Sequence, residues 1–485
     1  MMPLRPAVPP EEPIPGEEPP PEEEVAPLPV TPPPAAISTV PIAPGILRYL
    51  PLPPAFTFLR QEPTYSSYLE RNPLEPPQRV RFSLIGGAQY DSNRDLTTGQ
   101  KRSDTSAVGT LATTINIPQR RYFVNAGSAI TYRYSLRSGP SSLDAVNLSG
   151  AAGYAVGPNL SVGLTDLLVR QDNRLQFNVN QPPGLFVSTK PSTINTVSLS
   201  GNYLLSPVSS LVVSAGNTVV RNDDPQLQNS HTERASVSYA VALLPRLSLG
   251  AGYDFSHTSL SREPFVQSHR VNAFAGYSLD SVTRLLIDGY TTLRLRPGPD
   301  DSVFYGASVR LERQLFEGIV CFIGGGFEFF DTANQGVRRL YTHNVGCTGD
   351  GGVGGGTSAL LARNLTLDLD VRARIRDTTD ETVAVGLVNS QIASATVRYF
   401  PTRDFLASLR LSASRSQLFE TTFVVPNATR GNTFYVFQGD FRLEYKIATW
   451  LSAIGNYTLS RRLADRGEDL VVHQAFLGLS AGYGF

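Results

Sequence analysis

The sequence has few of the residues that helical membrane spans, metal centres and disulfide-rich folds require. It contains two cysteines, two methionines, one tryptophan and five histidines among 485 residues, and charged residues make up only 17%. Because no run of about 18 or more apolar residues occurs, no helical membrane span is predicted. The histidines show no metal-ligand spacing, so we predict no metal site, and nothing in the sequence indicates a cofactor.

The charge balance also excludes some partners. The 42 basic and 42 acidic residues cancel, but residues 1–30 carry one arginine and seven glutamates. That leaves 41 basic and 35 acidic residues, about +6, on the remainder, and an excess this small does not predict nucleic-acid binding. Nearly all basic residues are arginine, since lysine occurs only at Lys101, Lys190 and Lys446.

Residues 1–78 differ in composition from the rest of the chain. They hold 23 of the 37 prolines, with glutamate clusters at 11–12, 17–18 and 22–24. Low hydrophobicity and dense proline prevent a packed core, so we predict a disordered, partly polyproline-II segment with a short apolar patch at Ile46–Phe58. This segment is interpreted as a solvated linker, and partner binding by the proline tract is the alternative.

From residue 79 to Phe485 the chain alternates apolar and polar residues in segments of roughly ten residues. In Leu365–Arg376 every odd position is apolar and every even position is polar, which gives a strand one wholly apolar face. The same alternation recurs at Phe82–Tyr90, Val197–Leu205 and Phe437–Tyr445. Its repetition predicts an all-β protein, a transmembrane antiparallel β-barrel, because unpaired backbone cannot face hydrocarbon.

The connections between these segments are alternately short and long. Nine tight turns, such as Pro118–Arg120, alternate with ten mostly longer polar loops, as at the periplasmic and extracellular ends of outer-membrane barrels. We therefore predict about 20 strands, between about 18 and 22, with both termini periplasmic. The glycine tract Gly346–Gly356 should break one strand, and the loops 172–192 and 416–431 are the candidates for a plug of the lumen.

The two ends of the chain bear on export. The start, MMPLRPAVPPEEP, has no apolar h-region and is not a secretory signal, so we expect a signal that has been removed or an earlier start codon. At the other end, five in-register positions finish on a terminal aromatic and resemble the signal that the barrel-assembly machinery recognises. These positions are Leu477, Leu479, Ala481, Tyr483 and Phe485.

The two cysteines are predicted to face each other. Cys321 opens one strand and Cys347 closes the next, and both are equally far from the centre of the loop between them. They also share a face, so an inter-strand disulfide is predicted, since the periplasm is oxidising. The alternative is that they are two unrelated small hydrophobic residues.

Charged residues are predicted to line the lumen. Arginine binds carboxylate and phosphate bidentately, so an arginine-lined pore should favour anionic solutes or an acidic polysaccharide. The alternatives are that opposite charges neutralise one another across the lumen, or that the genome favours arginine codons. The inward positions by parity are Arg133, Asp288, Arg294, Arg296, Arg310, Asp368, Asp370, Arg372, Arg374, Arg376, Arg398, Arg410, Asp440, Arg442 and Glu444.

No enzyme active site can be identified. The glycine-rich Gly346–Ser358 has no lysine before its Thr-Ser pair, which excludes a phosphate-binding loop. No Ser-His-Asp set is indicated, so we predict no catalytic residues and a protein that is not an enzyme. A hydrolase at the lumen or rim is the remaining alternative and would need a histidine-containing cluster there.

Three short motifs carry a resemblance to a known family. They are GAQYDSNRDL at Gly87–Leu96, RYS at Arg133–Ser135 and GPNLS at Gly157–Ser161. A first strand ending in YDSN, followed by such elements, resembles a family of bacterial outer-membrane β-barrel porins often encoded with exopolysaccharide synthesis and export systems. The resemblance implies an outer-membrane barrel with a part in polysaccharide secretion and supplies no catalytic residues. The proline-rich start departs from that family's pattern.

Two functions follow as hypotheses. The first is a channel that passes a solute or a secreted polysaccharide, with selectivity set by lumenal charge and loops. The second is a non-conducting barrel that anchors a periplasmic tether in an envelope or polysaccharide-secretion assembly. Expected partners are outer-membrane lipid and lipopolysaccharide, the barrel-assembly machinery, and an anionic polysaccharide or periplasmic export components.

Overall fold

The alternating segments form β-strands in a computed structural model. The structure describes residues 79–93, 102–119, 121–137, 141–172, 190–225, 228–261, 265–297, 301–316, 319–332, 336–349, 358–362, 365–377, 387–402, 404–418, 433–465 and 469–484. Within these ranges no helix is long and apolar enough to cross a membrane. The predictions for residues 1–78, for most of the two candidate plug loops and for Phe485 lie outside the described residues.

Twenty-one strands make up one antiparallel sheet. In chain order they are β1 Val80–Asp91, β2 Asp104–Pro118, β3 Tyr122–Ser135, β4 Ser141–Ala155, β5 Leu160–Asp172, β6 Pro191–Ser206, β7 Ser209–Asn222, β8 Ser230–Leu244, β9 Leu247–Leu260, β10 Val266–Ser278, β11 Thr283–Leu295, β12 Ser302–Phe316, β13 Ile319–Thr332, β14 Gly336–Gly349, β15 Ser358–Ala362, β16 Leu365–Asp377, β17 Leu387–Thr402, β18 Phe405–Leu418, β19 Thr433–Ala448, β20 Leu451–Ala464 and β21 Leu470–Gly484.

These 21 strands occupy 20 positions around the sheet, because β14 and β15 share one neighbour. Residues His343–Cys347 of β14 pair with one half of β16, and β15 pairs with Leu365–Asp368 at the other end of β16. The chain between β14 and β15 contains the glycine tract that was predicted to break a strand. The predicted count of about 20 strands is therefore confirmed.

The sheet closes on itself through its first and last strands. β1 pairs antiparallel with β21 from Arg81 opposite Gly484 to Asp91 opposite Gln474. Closure leaves no open edge between these strands, so the backbone hydrogen bonds of the wall are satisfied within it. An even number of positions also brings the start of β1 and the end of β21 to the same end of the barrel.

Connection lengths differ between the two ends of the barrel. At the end where β1 begins, the nine connections have two to four residues, as at residues 207–208 and 156–159. At the other end the ten connections have three to 18 residues, and the longest spans residues 173–190. The connection between β13 and β14 has only three residues and is shorter than the polar loops predicted for this end of the barrel. It is short because both strands extend beyond the segment in which apolar and polar residues alternate.

The outer face of the barrel is apolar. Along β1, Phe82, Leu84 and Tyr90 are 45–60% exposed, whereas Ser83 and Ile85 between them are at most 4% exposed. The same alternation of exposed apolar and covered residues continues around the described strands. A closed sheet with large apolar side chains on its outside is the architecture of a transmembrane β-barrel.

The inner face is not uniformly polar. Ile85, Val108, Ile454 and Phe476 pack together on the inward side where β1 and β21 meet. Gly478 allows this packing, since a Cβ at that position would lie 2.6 Å from Cζ of Phe476. One sector of the lumen wall is therefore apolar, and the charged sector described next lies on other strands.

Candidate functional site: the charged wall of the lumen

Consecutive strands from β8 to β13 carry one group of charged inward residues, and β16 to β20 carry another. In the first group, β11 positions them by strict alternation. Its odd-numbered residues, such as Leu285, Ile287 and Leu293, face outward, and its even-numbered residues face the lumen. The opposite face of the same strand therefore carries charge. The inward charged residues of this sector are Arg234, Asp254, Arg270, Arg284, Asp288, Arg294, Arg310, Glu312 and Glu328.

A carboxylate between two guanidinium groups lies at the turn end of this sector. Arg284 and Glu312 are direct partners in the register of β11 and β12, and Nη2 of Arg284 lies 2.5 Å from Oε2 of Glu312. Arg310, on the same strand as Glu312, places its Nη2 2.9 Å from Oε1. Both oxygens of Glu312 are thus engaged by arginine, which fixes the carboxylate through charge-assisted contacts.

A second contact set crosses three strands nearer the middle of the wall. The guanidinium of Arg270 on β10 lies 4.1 Å from the ring centroid of Tyr290 on β11. The hydroxyl of Tyr290 donates to Oε1 of Glu328 on β13, at 2.5 Å. Gly306 is the register partner of both Tyr290 and Glu328, so the tyrosine reaches over a residue without a side chain.

Neighbouring polar contacts complete this part of the wall. Ser308 donates its hydroxyl to Oδ1 of Asp288 at 2.7 Å. Arg310 also lies over the ring of Phe322, 5.5 Å from its centroid. The sector therefore combines paired charges with aromatic faces, and both kinds of group hold arginine side chains against the wall.

Two further ion pairs lie on other strands. Arg133 and Asp144 are 6% and 9% exposed, and Nη2 of the arginine lies 2.8 Å from Oδ2 of the aspartate. On β19, Arg442 and Glu444 form a 2.8 Å ion pair. Next to it, Asp440 accepts hydrogen bonds from Gln438 and from the hydroxyl of Thr458.

Hydroxyl groups line the inward face between the charged positions. Serine and threonine residues on neighbouring strands form direct cross-strand hydrogen bonds, so each hydroxyl is held in place against the wall. The pairs are Thr110–Thr131 at 2.8 Å, Thr165–Ser198 at 2.5 Å, Thr196–Thr218 at 3.2 Å, Ser214–Ser236 at 2.6 Å and Thr232–Thr258 at 3.0 Å.

The described strand residues of the predicted lumen lie on the side of their strands opposite the apolar face, and Arg296 directly follows the end of β11. Arg133, Arg310 and Arg442 each have an acidic partner. These ion pairs agree with the alternative that opposite charges neutralise one another, rather than with a pore that attracts anions. Whether the set lines a conducting path stays a prediction. The other described members are Asp288, Arg294, Arg296, Arg398, Arg410, Asp440 and Glu444.

Five members of the predicted set are described only as backbone. They lie on β16, and the placement of their side chains is outside the described residues, so the predicted charge gradient along that strand stays a prediction. These residues are Asp368, Asp370, Arg372, Arg374 and Arg376.

Sequence reasoning missed several residues of the charged sector. Arg284 and Tyr290 occupy positions of β11 opposite in parity to its apolar residues, so alternation alone could have assigned them to the lumen. The contact between Tyr290 and Glu328 could not have been found that way, because it depends on the register of three strands and on Gly306.

The register places Cys321 directly opposite Cys347 on β13 and β14. Cys321 is disulfide-bonded, and the sequence contains no third cysteine. Cys321 pairs on its other side with Arg313 and shares parity with the exposed Ile323, so it lies on the outward face. The bond lies outside the lumen and cannot gate it.

Four of the five residues of the predicted C-terminal signal lie on the outward face of β21, and Phe485 is outside the described residues. Leu477, Leu479 and Tyr483 are 50–73% exposed, and Ala481 lies between them on the same face. Their register partners on β1 are also outward, with Phe82 opposite Tyr483. Recognition by the assembly machinery stays a prediction.

Among the described residues no group of three or more His, Cys, Asp or Glu side chains could hold a metal ion.

Comparison with known proteins gives likeness in structure only. No protein-family model matches the sequence, and no curated protein sequence matches it. The siderophore receptor PirA from Pseudomonas aeruginosa is similar in structure, with 11% identity, a TM-score of 0.45, and coverage of 84% of this chain and 81% of that one. OpdL from the same organism has 12% identity, a TM-score of 0.37, and coverage of 84% and 99%.

OccAB4 from Acinetobacter baumannii is similar at 10% identity and a TM-score of 0.35, covering 85% of this chain and 100% of that one.

Proposed function

We propose that this chain is an outer-membrane channel, with the short connections in the periplasm and the long loops outside the cell. The observation that carries the proposal is the closed wall of 20 strand positions, apolar outside and lined inside with hydroxyl and charged groups. Barrels of about 16 to 18 strands already leave an aqueous lumen. Residues 1–78, which precede β1, would then lie in the periplasm.

The solute class follows from the composition of the wall. The ion pairs around Glu312 present both signs of charge at close range, which gives weak rather than strong preference for anions. Fixed hydroxyl pairs, and the half-buried rings of Tyr290 and Phe322 that lie under Arg270 and Arg310, suit a hydroxyl-rich solute. A secreted polysaccharide, the class implied by the family resemblance, fits this chemistry, and we propose it as the cargo.

Conductance in planar lipid bilayers tests the channel. The purified full chain should insert and give stable, ohmic steps with a low anion-to-cation preference. A chain that inserts, shown by protection of its strands from protease, but conducts no ions would contradict the proposal. In that case binding of a periplasmic protein to residues 1–78 would support the docking barrel instead.

Addition of oligosaccharides to one side of the bilayer tests the cargo. Neutral or acidic oligosaccharides should block the ion current reversibly and at lower concentration than a polyethylene glycol of equal size. Equal block by both polymers would contradict a polysaccharide cargo while leaving the channel intact.

A further inference from the structure

Ionisable side chains are distributed unevenly over the outward face. On β1 to β4 the described outward positions carry no Asp, Glu, Lys, Arg or His. On the six neighbouring strands from β5 to β10 the outward positions with described side chains carry seven, which we call the polar sector, and Asp172 at the end of β5 is an eighth outward position by its register with Pro191. Its members are Asp166, Arg170, Arg221, His231, Glu233, His257 and His269.

All members of the polar sector except Asp166, at the middle of β5, lie near the long-loop ends of their strands. Further from the long-loop end, the outward face is again apolar, with Val197, Ala215 and Ala235. The sector therefore starts where the apolar band ends, at the depth expected for lipid headgroups rather than acyl chains.

Two arginines flank one threonine at the centre of this sector. Arg170 and Arg221 are both register partners of Thr193, on either side of β6. Their Cα atoms are therefore about 10 Å apart, two strand spacings. Nη1 of Arg170 donates to Oγ1 of Thr193 at 3.0 Å, and Nη2 lies 2.7 Å from Oδ2 of Asp223. Arg221 is exposed.

Hydrogen bonds join two of the remaining members to asparagines on neighbouring strands. Asn195 donates to Oδ1 of Asp166 at 3.1 Å, and the Asn217 amide lies 2.6 Å from Nε2 of His231. Glu233 is the register partner of both Asn217 and His257. These residues are polar and outward-facing on several neighbouring strands, which is costly against hydrocarbon and favourable against charged headgroups.

A repeated tyrosine–histidine pair marks the headgroup depth independently. The Tyr253 hydroxyl lies 2.8 Å from Nδ1 of His269 on β9 and β10, and Tyr457 lies 2.7 Å from Nδ1 of His473 on β20 and β21. Both pairs are outward, and each histidine is the fourth residue of its strand. Tyrosine is typical of the membrane–water interface, so the depth is shared around the barrel. Among the described strands, two outward arginines opposite the same residue occur only in the polar sector, since Arg415 and Arg461 on either side of β19 are opposite different residues.

We propose that the polar sector binds a phosphate group of an outer-leaflet glycolipid, held between Arg170 and Arg221 above Thr193, with the acyl chains against Val197 and Ala215. Guanidinium groups bind phosphate bidentately, and two of them at this spacing can engage opposite oxygens of one phosphate. Asp223, which contacts Nη2 of Arg170, and Glu233 of the polar sector flank the site. This inference rests on the outer-membrane location proposed above.

Native mass spectrometry of the full chain in detergent tests the site. The probes are lipid A with two phosphates, lipid A with its phosphates removed, and inorganic phosphate as a competitor. The wild-type chain should retain phosphorylated lipid A through gas-phase activation, and removal of the phosphates should weaken retention by at least about tenfold, the loss expected for a charge-assisted contact. Inorganic phosphate at equal concentration should not displace the lipid, because it lacks the acyl contacts.

Variants assign the effect to the two arginines. The double variant R170Q/R221Q should lose retention by at least about tenfold, and R170K/R221K should keep part of it because the charge remains. R313Q is the matched control, since Arg313 is outward but lies at the short-turn end of β12. It should retain the lipid as the wild type does.

Three results would overturn the inference. They are equal retention by R170Q/R221Q and the wild type, equal retention of dephosphorylated lipid A, or an oligomer in light scattering that R170Q/R221Q dissociates. The last would make the sector a contact between copies of the chain. A wild-type chain that conducts but does not retain phosphorylated lipid A would overturn this inference alone, and a non-conducting wild-type barrel that still retains the lipid overturns only the channel.

Discussion

The hydroxyl of Tyr290 on β11 donates to Oε1 of Glu328 on β13 at 2.5 Å, across the intervening strand β12. The contact skips one strand because β12 carries Gly306 at the shared register position. A Cβ there would lie 2.9 Å from Cε1 of Tyr290, too close for ordinary contact. The glycine therefore decides which groups of the lumen wall can meet.

Substitution of Gly306 should displace Tyr290. G306V inserts a side chain under the ring, so we expect the barrel to lose about 1–3 kcal/mol of unfolding free energy. Denaturant unfolding in detergent micelles, followed by backbone circular dichroism, measures this change in unfolding free energy. G289A is the control, because the nearest atom to a Cβ at Gly289 is 3.6 Å away. Equal stability of the two variants would contradict the role assigned to Gly306.

Removal of the charge of Glu312 should shift ion selectivity. In E312Q the guanidinium groups of Arg284 and Arg310 lose the carboxylate that both contact, so the anion-to-cation permeability ratio should rise, by about twofold. Reversal potentials under a salt gradient give the ratio. E233Q removes a charge from the outward face and should leave the ratio unchanged. An unchanged ratio in E312Q would place Glu312 away from the conducting path.

Loss of the cysteines should destabilise the barrel without affecting conduction. Cys321 and Cys347 are opposite each other in the register, and a bond closing a loop of this length contributes about 3 kcal/mol. The wild type should run faster on non-reducing than on reducing gels after heat denaturation. The double variant C321S/C347S should run identically on both and should unfold at lower denaturant concentration. Identical wild-type mobility under both conditions would argue against the bond.

The turn Leu279–Val282 should make stability depend on pH. Asp280 Oδ1 accepts backbone hydrogen bonds from Val282 at 2.8 Å and Thr283 at 2.6 Å. Chiefly the hydrogen bond from the Val282 backbone lowers the pKa of Asp280 below its ordinary value of 3.8. Because the folded pKa is the lower one, this stabilisation is present above the ordinary value and is lost as the pH falls through the lowered pKa.

Unfolding of the wild type, D280A and D280N at several pH values measures this effect. The difference between wild type and D280A should be full at neutral pH and should shrink in acid. D280N keeps an acceptor oxygen without the charge, so it should fall between the two and show no such pH dependence. A wild-type advantage that persists unchanged in strong acid would contradict the assignment.

Alternation in the sequence was enough to predict the strands and their number. In β1 and β21 the apolar positions are regular and lie on the outward face. The strand break was also predicted from the glycine tract between β14 and β15. These features are local, since a strand's face is decided by the parity of its own residues.

The contacts within the site were not predicted, because they depend on more than one strand. Parity places Arg284 on the inward face, but only the register brings it opposite Glu312. Alternation also fails to explain Asp166, because this charged residue lies between Leu164 and Leu168 on an outward apolar face. Within β5 alone Asp166 breaks the apolar pattern, whereas its neighbours on β6 and β7 show that it borders a polar surface.

The shared edge of β16 has a consequence for engineering. β14 and β15 each pair with a different half of β16, and the pairing of β13 with β14 ends at Gly349. Extra residues placed between Gly349 and Ser358 therefore leave the described strand pairing on either side unchanged. An affinity tag or a protease recognition sequence introduced at this point would lengthen the polypeptide while the wall keeps its circumference.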